Sequence, residues 1–261
     1  MPIDLSTIQS LILDMDGVLW RASDPIGNLP AIFAGITRRG WKVALATNNA
    51  TRSIGMYVER MAGFGVTVEP WQIINSAQAV ARLLKNRFPQ GGPIYIIGER
   101  GLLEALQEQG FYPADEHVLA VAASMDRSLS YDKLRCATLL IRGGALFVAT
   151  NPDRTFPTPD GLVPGAGAIL AALETATDVA PLVCGKPAPE MYRMALERLG
   201  TAPEHTLVVG DRLETDIAGA QVIGCRTALV LSGVSSETQG RQWQPAVDWI
   251  GADLQTLVNT P

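Results

Sequence analysis

Short apolar runs alternate along this chain with longer amphipathic segments, and many of the runs end in polar residues. A strand covered on both faces reads as an unbroken apolar run, and such runs separated by helical periods specify a parallel sheet flanked by helices. The expected fold class is therefore α/β. Buried strands are expected at 10–14, 42–47, 180–184, 206–210 and 227–231. A second series of alternating elements lies between about 76 and 179, with strand-like runs at 94–97, 118–122, 138–141 and 146–150. The Pro- and Gly-rich stretch 151–167 reads as an extended loop or linker, and a helix is expected at 168–175. These boundaries give a core of 1–78 and 180–261 interrupted by an inserted domain at 79–179, a size within the usual domain range.

In an open α/β sheet, ligands bind beyond the carboxyl ends of the strands, where loops converge and helix N-termini point at the ligand. Asp14, Thr47 and Asp211 occupy such ends, and Lys186 lies just past another. The turn Asp14-Met15-Asp16-Gly17 holds two carboxylates. Like charges so close repel, a divalent cation relieves the repulsion, and oxygen donors suit magnesium. An Asp-rich surface turn is the alternative for this segment taken alone. Thr47-Asn48-Asn49 offers a hydroxyl and backbone N–H groups able to hold phosphate oxygens, although Asn49, Thr51 or Ser53 would serve equally as helix caps. Gly185-Lys186-Pro187 presents a point positive charge before a helix starting near 189; Pro187 and the missing upstream glycine spacing exclude a Walker A loop. Between Gly210 and Asp216 a strand meets a helix and sets Asp211 and Asp216 at its positive end, where capping alone accounts for one of them.

Composition narrows the partners. A formal net charge of -5 with 18% charged residues speaks against a nucleic-acid surface or a polybasic membrane patch. Three cysteines, Cys136, Cys184 and Cys225, lack CxxC spacing, which argues for a reducing compartment and against a disulfide framework. The apolar run 8–19 is broken by Asp14 and Asp16 and fails as a secretory or membrane segment, so a cytoplasmic protein is expected. His117 and His205 lack ligand-like neighbours, and Trp20, Trp41 and Trp71 read as core.

Together, and in this order, the four segments resemble the haloacid dehalogenase superfamily, with the likeness running from Leu11 to Ala220. The resemblance implies a Rossmann-like parallel-sheet core with an inserted, smaller α/β cap. It assigns Asp14 as nucleophile, Asp16 as general acid/base, Thr47 to phosphate binding, Lys186 to charge neutralisation, and Asp211 and Asp216 to Mg2+ beside Asp14 and the carbonyl of Asp16. An acid at Asp16 favours phosphate ester hydrolysis, because it can protonate a leaving alkoxide and later activate water. The long insertion, with Gly17-Val18-Leu19-Trp20, Ile97-Gly98-Glu99, Asn151-Pro152-Asp153 and Pro164-Gly165-Ala166-Gly167, is similar to the branch containing NagD and the 4-nitrophenyl phosphatases. The sequence departs from that branch at Ala22 and at Ala123-Ser124-Met125 ahead of Asp126.

The resemblance implies a small phosphorylated metabolite as substrate, contacted by Thr47, Asn48, Asn49 and Lys186 and by Asn151, Asp153 and Arg154 of the cap; Asn-Pro-Asp is equally a strong turn sequence. It also allows a homodimer formed through the cap. Transfer of phosphate to a sugar acceptor and a receiver-like signalling module are the competing functions. Receivers are about half this length, and the cap argues against a sugar acceptor.

Overall fold

The computed structural model describes residues 3–158 and 161–260. The chain begins with β1 (Ser10–Leu13), the short hairpin β2 (Trp20–Arg21) and β3 (Asp24–Pro25), then α1 (Leu29–Arg38), β4 (Lys42–Thr47), α2 (Ile54–Gly63) and β5 (Ile73–Asn75). A second series follows: α3 (Ser76–Arg87), β6 (Gly92–Ile97), α4 (Arg100–Glu108), β7 (Phe111–Pro113), β8 (Ala120–Ala123), α5 (Tyr131–Arg142) and β9 (Leu146–Ala149). It continues through β10 (Thr155–Thr158), β11 (Gly161–Pro164), α6 (Ala166–Thr177) and β12 (Leu182–Val183). The last stretch holds α7 (Glu190–Leu199), β13 (Thr206–Gly210), a π-helical turn (Leu213–Ile217), α8 (Ala218–Val222), β14 (Arg226–Val230), α9 (Glu237–Gln242), β15 (Trp249–Gly251) and α10 (Leu254–Asn259).

Contacts divide the described chain into two compact units, one drawn from residues 1–47, 55–74 and 186–261, the other from 48–54 and 75–185. The first is built on a six-stranded sheet of order β15-β14-β13-β1-β4-β5. Strand β1 is parallel to β13 on one side, Leu13 opposite Val209, and to β4 on the other, Leu13 opposite Leu45. The chain therefore steps outward from β1 in one direction and later in the opposite one. Leu11, Ile12 and Leu13 are fully buried, as expected for a strand covered on both faces.

The second unit carries a five-stranded parallel sheet of order β12-β9-β8-β6-β7. Its core joins Ile97, Val121, Ala123, Phe147 and Ala149 of the strands to Ala137 and Ile141 of α5 and Ile169, Leu170 and Leu173 of α6.

Three expectations are corrected here. Residues 138–141 are helical and lie in α5, which Ser130 caps by accepting from the Lys133 N–H. Ala137 and Ile141 face inward at helical spacing while Leu139 is exposed, so the apolar run was one face of a helix joined to a surface leucine. The strand expected at 180–184 shortens to β12, which pairs with β9 of the second sheet and not with the first; an apolar run carries no information about which sheet receives it. The stretch 151–167 includes an antiparallel hairpin, β10 with β11, and the start of α6, while residues 159 and 160 lie outside the described residues. Among the described residues, no helix is long and apolar enough to cross a membrane.

Candidate active site

Asp14 follows β1 and Asp211 follows β13, so the parallel pairing of these strands sets the two carboxylates side by side where the strand order reverses. That reversal is where open α/β sheets open a crevice for ligands. Asp216 joins them from the π-helical turn, and the Arg212 N–H donates to its Oδ2 at 3.1 Å. Oxygens of Asp14, Asp211 and Asp216 all lie within 4.8 Å of one another. Lys186 points its ammonium among them, 2.5 Å from Asp14 Oδ1 and 2.6 Å from Asp216 Oδ1, and also donates to the Ala46 carbonyl at 3.1 Å.

Burial makes this arrangement costly. Lys186 is 3% exposed, Asp211 3% and Asp216 1%. Desolvation pulls the Lys186 ammonium towards neutrality, but the carboxylates of Asp14 and Asp216 outweigh it and hold the pKa well above the usual lysine range. Burial likewise raises Asp14, with Lys186 opposing and Asp216 and Asp211 reinforcing. Asp211 is pushed up to about 6, by desolvation first and then by the Asp216 charge. When all three carboxylates are ionised they exceed the one ammonium by two negative charges, which a divalent cation would balance. Hard oxygen donors together with that deficit fit Mg2+.

The turn 14–17 is shaped around Asp211. Gly17 has φ +88°, and a Cβ placed on it would sit 2.5 Å from Asp211 Oδ2. No other residue type is accommodated there. Asp16 does not join the carboxylate cluster. Its Oδ1 accepts from the Trp20 indole N–H at 2.8 Å. The Gly17 N–H is used within the turn on the Trp20 carbonyl.

A fifth segment, absent from the sequence reading, closes the site. After β14, the Val234 N–H donates to Asp211 Oδ2 at 2.8 Å and the Ser235 N–H to the Asp211 carbonyl at 2.9 Å. Ser232 Oγ donates to the Gly17 carbonyl at 2.7 Å, and Arg21 Nε to the Ser232 carbonyl at 2.6 Å. The same strand-end rule that singled out Asp14 and Asp211 applied to this segment, but its contribution is largely backbone N–H, which no residue letter announces.

Thr47 closes β4 and is 2% exposed. Asn48, Asn49, Asn151, Asp153 and Arg154 belong to the second unit. There the Asn48 carbonyl accepts from Ser76 Oγ and Asn151 Nδ2, Asn48 Nδ2 donates to Asp153 Oδ2 at 3.4 Å, and the Asp153 N–H donates to Asn151 Oδ1. Asn49 Oδ1 accepts from the N–H and hydroxyl of Thr51, a local turn and not the helix cap expected of it, since α2 starts only at Ile54. Arg154 is exposed, and its carbonyl accepts from Gly165.

Comparison with known proteins adds to this geometry. A family model described as haloacid dehalogenase-like hydrolase matches residues 11–112, and a second, HAD-hydrolase-like, matches 183–257. The chain is 35% identical to a dihydroxyacetone phosphatase of Corynebacterium glutamicum, over 90% of this chain and 85% of the relative. A p-nitrophenyl phosphatase from Archaeoglobus fulgidus superposes with a TM-score of 0.90 at 31% identity, covering 96% of this chain and 98% of the other. A glycerol phosphate phosphatase from Mycobacterium tuberculosis, solved in complex with magnesium, superposes with a TM-score of 0.89 at 34% identity, covering 98% of this chain and 78% of the other.

Proposed function

The chain belongs to the haloacid dehalogenase-like hydrolases and is a phosphomonoesterase, and from that premise we propose that Asp14 is its nucleophile, working through an aspartyl-phosphate on small phosphorylated metabolites. Asp14 attacks phosphorus in line, the ester P–O bond breaks, and Asp16 delivers a proton to the departing oxygen. Asp16 then takes a proton from a water that attacks the acyl-phosphate. The P–O bond to Asp14 breaks, inorganic phosphate leaves, and both carboxyl groups return to their starting state. Lys186 holds the nucleophilic carboxylate in one rotamer and offsets the charge brought by the phosphoryl group. Asp14, Asp211 and Asp216, with the Asp16 carbonyl, would hold Mg2+, which when bound supplies positive charge at the transferring phosphoryl group.

The observation that carries this reading is the two-charge deficit among three carboxylates at the reversal of the sheet. Neither transfer to a sugar acceptor nor a receiver-like role draws support from it. Thr47, Asn48, Asn49, Asn151, Asp153 and Arg154 are the proposed substrate contacts. A cytoplasmic location and a cap-mediated homodimer are likewise proposals, the second decided by sedimentation velocity.

The direct test is Asp14→Asn, which keeps the shape of the side chain and removes the attacking oxygen. Phosphate release from a panel of phosphoglycolate, glycerol phosphate, sugar phosphates, nucleoside monophosphates, pyridoxal phosphate and 4-nitrophenyl phosphate should vanish with the fold intact. Turnover retained by the variant rejects Asp14 as the nucleophile.

A further inference from the structure

Asp16 has one carboxylate oxygen committed. Trp20 Nε1 lies 2.8 Å from Asp16 Oδ1, and the indole that makes this bond is itself fixed from several sides. Its residue is 0% exposed. The Gly17 N–H donates to the Trp20 carbonyl at 2.8 Å, the Trp20 N–H donates to the Met15 carbonyl at 3.3 Å, and Asp16 and Trp20 form a β-bridge. The Arg60 guanidinium lies over the indole at 4.1 Å from the ring centroid while bonding the Ala22 carbonyl, and the Phe64 ring packs at 5.9 Å.

An indole nitrogen only donates. The oxygen it bonds is therefore held as an acceptor, and because a carbonyl oxygen accepts better than a hydroxyl oxygen, a proton carried by Asp16 is favoured on the other oxygen, Oδ2. A cation over the ring face draws electron density from the indole, which makes its N–H a stronger donor. Arg60 thus acts on the same bond through the face of the ring.

We propose that Trp20 is a positioning residue for proton transfer: it fixes the Asp16 carboxyl and assigns the transferable proton to Oδ2, with Arg60 reinforcing it. The inference rests on Asp16 being the general acid, as put forward above. Preorganisation of this kind matters in proportion to how much the leaving group needs a proton. An alkoxide needs one; 4-nitrophenolate departs as an anion at neutral pH.

The test compares kcat/KM, which reports the steps up to formation of the phosphoenzyme, for 4-nitrophenyl phosphate and for whichever of glycerol phosphate, phosphoglycolate and glucose 6-phosphate the wild-type enzyme turns over fastest. Trp20→Phe keeps an aromatic ring and removes the donor. Its loss on the alkyl ester should exceed its loss on the aryl ester by about tenfold, the scale of one orienting hydrogen bond. Equal losses on both esters overturn the inference and reduce Trp20 to a packing residue.

Asp16→Asn separates the two levels. If it too shows no preference for harming the alkyl ester, the assignment of Asp16 as acid fails; if it does and Trp20→Phe does not, only the positioning role fails. Should Trp20→Phe not fold, Arg60→Met leaves the indole in place and removes the cation. It is expected to show the same selectivity at about two- to fivefold, and equal losses on both esters again overturn the proposal.

Discussion

With its ammonium 2.5 Å from Asp14 and 2.6 Å from Asp216, Lys186 is in direct contact with a buried anionic cluster. Removing one partner of a buried pair typically costs roughly 3–5 kcal/mol, because the charge left behind has neither water nor counter-ion. Lys186→Met should therefore lower the urea midpoint of the metal-free protein substantially, and added magnesium should recover part of the loss. A midpoint unchanged from wild type would mean that the carboxylates are not charged in the metal-free fold. Ala22 poses the opposite problem: it is a residue with a Cβ at φ 48°, where glycine is preferred. The left-handed conformation costs roughly 1–2 kcal/mol and the extra chain entropy of glycine takes back about 0.4–1. Ala22→Gly should accordingly stabilise the protein by up to about 1.6 kcal/mol in urea unfolding, and a destabilised variant would show that packing of the alanine methyl outweighs the backbone.

The elements that position Asp14, Thr47 and Asp211 were legible because β1, β4 and β13 are covered on both faces and leave unbroken apolar runs. Residues 138–141 and 180–184 misled for a related reason. A run of four or five apolar letters is compatible with a strand, with one face of a helix, or with either of two sheets, and only tertiary packing decides. The segment after β14 was illegible in another way, since it acts on Asp211 through the amides of Val234 and Ser235. Trp20 read as core, which it is; that its nitrogen also reaches Asp16 depends on the bend of the turn and not on the residue's hydrophobicity. The turn after β14 makes a prediction of its own. A Cβ on Gly233 would fall 1.9 Å from Asp211 Oδ2, so Gly233→Ala must displace either that carboxylate or the loop. Magnesium affinity, followed by titration calorimetry, should drop about tenfold or more with little change in secondary structure. An unchanged affinity would separate Asp211 from metal binding.

For the molecule as a whole, the acidic cluster links stability to pH. The Asp211 carboxyl is pushed up from the ordinary 3.8 to about 6 in the fold, so the native state binds the proton more tightly than the unfolded chain does. Its contribution is therefore fully present below about 4 and is lost as pH rises through about 6 in the metal-free protein. On the proposed reading, magnesium would compete with that proton and bind the native state. The rise in Tm on adding magnesium should be larger at pH 7.5 than at pH 4.5, and equal shifts at the two values would contradict the linkage. The division into two α/β units was legible in outline from the two series of alternating runs. The exact place where one ends was not, because β12 is two residues long and its sheet is chosen by pairing with β9.

The position of β1 between β4 and β13 also has a consequence during synthesis. Ser10 and Thr206 are opposite each other in that pairing yet 196 residues apart in sequence. At ordinary translation rates the ribosome needs on the order of 10–40 s to cover that distance. Throughout that interval one edge of the apolar strand Leu11–Leu13 has no native neighbour. A nascent chain thus carries an unpaired, sticky β edge until β13 emerges, which makes that edge the natural point of engagement for chaperones.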